Sequence, residues 1–205
     1  MTQRHDWDTV YVADGPPPWD IGRPQPEFVR LAEAGKLRGE LLDAGCGTGE
    51  HALLAEEHGA GAVGVDVSPP AIARARAKAA ERGLKARFEV GDALNLGQLG
   101  LSFDTIIDSG LFHVFDDDSR ARYVTSLASV LRPGGRLYLM CFSDRQPGTM
   151  GPRRVSQDEL RAAFADGWSI LAIEADSFLV NRRAFGVANA QAWLSTISRA
   201  VPAGR

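Results

Sequence analysis

Gly45, Gly47 and Gly49 stand at alternate positions in LLDAGCGTGEH, between an apolar run and a helical pattern. Glycines at such a turn leave bare peptide groups against which a ligand can lie at a helix N-terminus. The spacing is G-x-G-x-G followed by Glu50. A dinucleotide fingerprint is G-x-G-x-x-G, and Glu50 is expected to point where a pyrophosphate would sit, so a nicotinamide cofactor is disfavoured. Asp66 ends the apolar run GVD, about 20 residues on, where an acid can accept both hydroxyls of a ribose. Asp92 ends FEVGD, and Asp43 ends the first run. Acids at the ends of three successive runs favour an adenosine group without phosphates. Asp43 can alternatively accept backbone N–H bonds of the following turn.

A second centre is DSGLFHVFDDDSR, Asp108 to Arg120, with His113 among Leu111, Phe112, Val114 and Phe115. An imidazole with an ordinary pKa of about 6.5 can take or orient a proton there, or can plug an apolar wall and bond to backbone. Asp116, Asp117 and Asp118 fit the N-cap and first turn of the next helix, where negative charge is favourable.

The elements that must position these residues read as βα units. GELLDAG, GAVGVDV, ARFEVGD, FDTIIDS and GRLYLMCF are five candidate strands, alternating with helical patterns as in a parallel sheet covered on both faces. EHALLAEEHG and PAIARARAKAAERG are helices stopped by Gly59 and Gly83, the second capped by Ser68 before two prolines. A third helix starts after Asp118 and ends at Pro133-Gly134-Gly135. SDRQPGTMGPRRV is a loop long enough to be functional. SQDELRAAF has capping-box spacing at Ser156 and Glu159. WSILAIEADSFLV and VANAQAWLSTIS read best as two further strands, although the second is also compatible with a helix.

The 205 residues suit one domain, and 44% apolar with 24% charged residues describes an ordinary globular chain. A net charge of −3 without a broad Lys/Arg cluster disfavours nucleic acid. Cys46 and Cys141 lie far apart, outside any CxxC, which argues against a disulfide or a zinc site. The polar MTQRHDWDTV and the lack of a long apolar run point to a cytoplasmic location and no membrane partner.

LLDAGCGTGEHALL, GVDVSPPAIARAR, FEVGDAL, FDTIIDSGLFHV and LRPGGRLYLM together resemble, in order and spacing, the motif series of class I S-adenosylmethionine-dependent methyltransferases. They cover residues 40–142. The resemblance implies an α/β, Rossmann-like, seven-stranded, mostly parallel sheet flanked by helices, with the last strand inserted antiparallel next to an edge. It also implies S-adenosylmethionine as donor and S-adenosylhomocysteine as product. Asp43, Gly45 and Gly49 would line the methionine side with Cys46 and Gly47, Asp66 and Val67 the ribose, and Asp92 with Ala93 the adenine. Asp108 and Ser109 would close the donor site at the end of the fourth strand.

PPPWDIGRPQPEF is similar to the N-terminal segment of small thiopurine and halide/thiol methyltransferases and of related mycobacterial heterocyclic toxin methyltransferases acting on hydroxyquinolones. The halide group usually shows Thr where this chain has Gln25, which weakens the halide reading. Residues 1–35 are thus expected to form a lid and substrate segment and 36–205 the donor-binding domain. Trp19 offers an apolar wall for a sulfonium, or an anchor for the segment. His113 is the candidate catalytic residue, and Phe112, Phe142, Ser143, Met150 and Ser109 are candidate pocket walls. Asp108 and Asp144 could hold magnesium as in catechol-type O-methyltransferases, but Arg145 replaces that family's Asn, so no metal is expected. The acceptor is expected to be a small heteroaromatic methylated on O, N or S, by a monomer or homodimer. A non-catalytic donor-binding module is the alternative from another class.

Overall fold

The computed structural model describes residues 7–12, 17–182 and 186–201. Two short helices come first, α1 (Trp7–Val12) and α2 (Pro26–Glu33). The βα units follow: β1 (Glu40–Ala44), α3 (Glu50–Glu57), β2 (Gly61–Asp66), α4 (Pro69–Arg82) and β3 (Arg87–Val90). After a 3-10 segment at Ala93–Leu99 come β4 (Phe103–Ser109), a 3-10 turn at Phe112–Val114 and α5 (Asp117–Val130). The remaining elements are β5 (Leu131–Phe142), α6 (Gln157–Ala163), β6 (Trp168–Leu179) and β7 (Asn189–Arg199).

The seven strands form one sheet in the order β3-β2-β1-β4-β5-β7-β6. The first five pair in parallel, and β7 runs antiparallel between β5 and β6. This is the class I sheet, and VANAQAWLSTIS resolves as a strand. One buried layer joins α2, α3 and α4 to one sheet face, including Phe28, Leu53, Ile72 and Phe88. The other holds Phe103, Phe112, Tyr123, Leu127 and Trp168. β1 pairs in parallel with β2 on one side and with β4 on the other, so the strand order reverses there. Open α/β sheets take ligands in the crevice beyond the C-terminal strand ends at such a reversal.

Local signals fix the helix ends. The Ser68 hydroxyl accepts the Ala71 N–H, Ser156 and Glu159 form a reciprocal capping box, and Asp116 accepts the Ser119 N–H. The third of these starts α5 at Asp117, slightly before the expected start. Pro133-Gly134-Gly135 falls inside β5, where pairing with β4 shifts register between Phe103 and Thr105. The proline-glycine stretch thus bends a strand that follows α5 without an intervening loop.

Candidate active site

The glycine loop is built from backbone. Gly45 and Cys46 N–H both donate to Val65 O, which ties the loop to β2. Gly49 adopts φ +89°, and a Cβ there would stand 2.7 Å from the Phe88 ring and 2.9 Å from Ala75, so only glycine lets α3 start this close to β3 and α4. A Cβ on Gly47 would lie 2.8 Å from the Tyr11 hydroxyl. Asp66 receives the Gly47 N–H at 2.8 Å and the Ser68 N–H at 2.9 Å, one on each carboxylate oxygen. Burial raises its pKa above the usual carboxylate range.

Asp92 caps the following turn through Leu94 N–H and Asn95 Nδ2, with Ala93 buried next to it. Val67, just past Asp66, is exposed. Asp43 is buried and accepts the Ala52 N–H at 3.1 Å, and burial pushes its pKa up to about 7. One oxygen of its carboxyl therefore holds α3, the structural alternative. Cys46 likewise turns its side chain into the core, leaving only backbone to the loop.

Glu50 does not aim at a ligand. It is buried and receives Lys78 at 2.7 Å and Arg82 at 3.0 Å from α4. The acidic residue after the glycines thus joins two helices, and both of these cations are tied to its one carboxylate. No ion pair to Asp66 or Asp43 occurs among the described residues. A glycine cradle beside the Asp66 carboxylate is compatible by charge with a cationic, phosphate-free adenosine ligand.

The N-terminal segment lies across this edge. The Trp19 indole N–H donates to the Tyr11 hydroxyl at 3.2 Å, and the ring meets Trp7 and Tyr11 edge-on. Trp19 is thus an anchor for α1. Thr48 donates to Asp20 at 2.8 Å and receives Lys78 at 2.8 Å. Gln25 is buried, and its side-chain amide pairs with both backbone groups of Leu179 at 2.9 Å. Its own N–H donates to His51 Nε2 at 3.1 Å. The residue that departs from the halide pattern therefore clamps the segment to the end of β6. Residues 1–6 and 13–16, within the expected lid, lie outside the described residues.

The C-terminal ends of β5 and β6 meet in a buried aromatic cluster. His113 Nδ1 accepts the Phe142 N–H at 2.9 Å, its ring meets Phe142 edge-on at 5.1 Å and lies 6.2 Å from Phe178. Burial, then Arg120 and Arg154, hold its pKa down at about 3. Arg154 stands 5.4 Å over the Phe142 ring and donates to carbonyls of Gln146, Gly148, Met150 and Pro152, organising the loop after β5. Met150 is 62% exposed on that loop. Ser109 is half-buried at the end of β4, paired with Met140.

Three expected contacts belong elsewhere. Asp108 is fully buried, accepting Leu111 N–H, Phe112 N–H and the Tyr123 hydroxyl, and burial lifts its pKa to about 7. It shapes the turn carrying His113, with both carboxylate oxygens bonded within the protein. It is also unavailable to a metal beside Asp144, whose Oδ1 accepts the Trp193 indole N–H. Phe112 is fully buried in the opposite core against Phe164, so it is no pocket wall. Ser143 is buried, its hydroxyl accepting the Arg145 N–H and donating to Asp144.

Tyr11 and Phe178 join the site although no sequence motif singles them out. Phe178 carries a readable signal only once β6 is known to run parallel to β5, which brings its end to the ligand edge.

A methyltransferase domain model matches residues 41–135. Over 157 residues the chain is 42% identical to the 2-heptyl-1-hydroxyquinolin-4(1H)-one methyltransferase of Mycobacteroides abscessus, covering 75% of this chain and 69% of that protein. It is 40% identical to a solved structure described by the conversion of a disulfide bond into a thioacetal group during echinomycin biosynthesis. That match covers 96% of this chain and 93% of the other, with TM-score 0.87. A SAM-dependent methyltransferase from Anabaena variabilis shares the fold at TM-score 0.74 and 19% identity, over 94% of this chain and 91% of the other.

Proposed function

Because the chain belongs to the class I S-adenosylmethionine-dependent methyltransferases, we propose that it transfers a methyl group to an oxygen of a small heteroaromatic molecule of the hydroxyquinolone type. The observation that carries the reading is the pairing of an acidic, glycine-lined half with an aromatic half holding a neutral imidazole. The similarity to a hydroxyquinolone methyltransferase supports the acceptor class.

The donor supplies a sulfonium methyl that leaves behind a neutral thioether, so the leaving side needs little acid catalysis. Gly45, Gly47 and Gly49 would present backbone to its methionine end, Asp66 would accept its ribose hydroxyls, and the Asp92–Ala93 turn would meet its adenine. Residues 1–35 would serve as the lid, with Trp19 and Tyr11 excluding water from the reacting groups, and residues 36–205 as the donor-binding domain. Excluding water and fixing the acceptor in line account for most of the barrier reduction in such a displacement. His113, Phe142 and Phe178 would hold the acceptor.

A sulfur acceptor is the second reading, favoured by the similar structure associated with disulfide-to-thioacetal conversion. A screen of S-adenosylhomocysteine formation over hydroxyquinolones, phenols, thiols, thiopurines and iodide separates the two. The proposal expects hydroxyquinolones to lead. Turnover confined to thiols would favour the second reading, and donor binding without turnover on any acceptor would contradict both.

A further inference from the structure

We propose that the site takes its acceptor as an anion, an acidic O–H or S–H group already ionised in solution, and that His113 holds this anion by donating its Nε2–H and does not remove the proton. The inference rests on the methyl-transfer reading above and goes further by naming the ionisation state of the acceptor.

The geometry sets the tautomer. His113 Nδ1 receives the Phe142 backbone N–H at 2.9 Å inside the core, and an imidazole accepting at Nδ1 carries its proton at Nε2. To act as a base at Nε2, the ring would have to move that proton to Nδ1, or hold one there as imidazolium after the transfer. Either state sets an N–H of the ring against the N–H of Phe142 and strands a buried amide, a cost of about 1–3 kcal/mol.

Nothing among the described residues takes up the Nε2 proton, since Nε2 makes no hydrogen bond there. It lies beside Gly110, where a Cβ would stand 3.4 Å from it and 3.2 Å from Phe178, so the unpaired donor sits at the turn after β4, next to the ring at the end of β6.

The surrounding charges agree. The charged groups acting on the ring are Arg120 of α5 and Arg154 of the loop after β5, both cations. Arg120 is tied to Glu159 and Phe112 O, with Nη2 buried and unpartnered, and Arg154 is tied to loop carbonyls. These cations oppose an imidazolium and favour an anion. No carboxylate among the described residues hydrogen-bonds the ring to support proton uptake, because Asp108 is spent on Leu111, Phe112 and Tyr123.

The step balances without a protein base. The acceptor loses its proton to solvent before binding, its anionic lone pair forms the new bond to the methyl carbon, and the C–S electrons pass to sulfur.

The test uses the full chain with S-adenosylhomocysteine present and 1-hydroxyquinolin-4(1H)-one as probe, its bound ionisation read by absorbance across pH. The apparent pKa of the bound probe is expected about one unit or more below its free value. His113→Gln, which keeps an N–H donor but cannot take up a proton, should retain most of that shift, and His113→Phe should lose most of it, leaving only the part due to Arg120 and Arg154. In turnover, the pH at which kcat/KM levels off should move with the acidity of the acceptor across a series of substituted hydroxyquinolones. His113→Phe should lose about 10²–10³-fold, the usual cost of one removed oxyanion donor.

A probe bound in its neutral form would overturn the proposal. So would a levelling-off fixed at one pH for every acceptor and lost in His113→Gln, which is the signature of a base. Failure of the parent reading looks different, because the ionised probe would then bind without forming any methylated product when S-adenosylmethionine replaces S-adenosylhomocysteine.

Discussion

The two halves of the crevice are built from opposite materials. Beyond β1 and β2 the chain offers bare backbone and the Asp66 carboxylate, which has no ion-pair partner among the described residues, while Lys78 and Arg82 are both tied to Glu50. Beyond β4, β5 and β6 it offers Phe142, Phe178, a neutral imidazole and the Arg154 guanidinium. One side suits a cation and the other an anion in an apolar slot, so each half would exclude the other half's ligand by charge as much as by shape.

The difference can be broken first at the glycine loop. Gly49→Ala forces a side chain into φ +89° and against Phe88 and Ala75, which costs about 2–5 kcal/mol from backbone strain and overpacking together. A large drop in the denaturation midpoint with loss of donor binding is expected, and a midpoint indistinguishable from wild type would show that the loop can relax.

A smaller effect is expected where the two halves meet. Gln25→Ala removes both amide bonds to Leu179, about 1–2 kcal/mol for the pair. Hydrogen exchange over residues 17–25 should quicken by roughly ten-fold, by the usual conversion of free energy to population, with the sheet unchanged. Uniform quickening throughout the sheet would mean that the segment is part of the global fold and not a separately docked strap.

The smallest effect is a pH dependence. Burial lowers the His51 pKa from 6.5 to about 4, so the unfolded chain binds more protons between those values. The stabilisation from keeping His51 neutral is therefore fully present above pH 6.5 and lost as pH falls towards 4. Wild type should lose stability relative to His51→Gln over that window in parallel denaturation curves, and a constant difference would remove the assignment.

How much is legible follows from the range of each signal. Ser68, Asp116 and the Ser156–Glu159 box act within three residues, and each caps the helix that its pattern announces. The G-x-G-x-G turn is equally local. Glu50 reads wrongly from its neighbours because its partners Lys78 and Arg82 lie a full βα unit away. Asp108 is ambiguous in sequence because a strand-end acid that serves a ligand and one that caps its own turn look alike, and its bond from Tyr123 comes from the next helix. The Gln25–Leu179 clamp and the place of Phe178 depend on β7 inserting between β5 and β6, a pairing that no local pattern contains.

In the proposed division of the site the acidic half would hold the donor and the aromatic half would leave it alone. Calorimetric titration of S-adenosylmethionine into wild type, Asp66→Ala and His113→Phe tests this directly. Loss of a charged hydrogen-bond partner should weaken Asp66→Ala by about 10–100-fold, with His113→Phe within a factor of about two to three of wild type. Unchanged affinity in Asp66→Ala, or an equal loss in both variants, would contradict the division of the site.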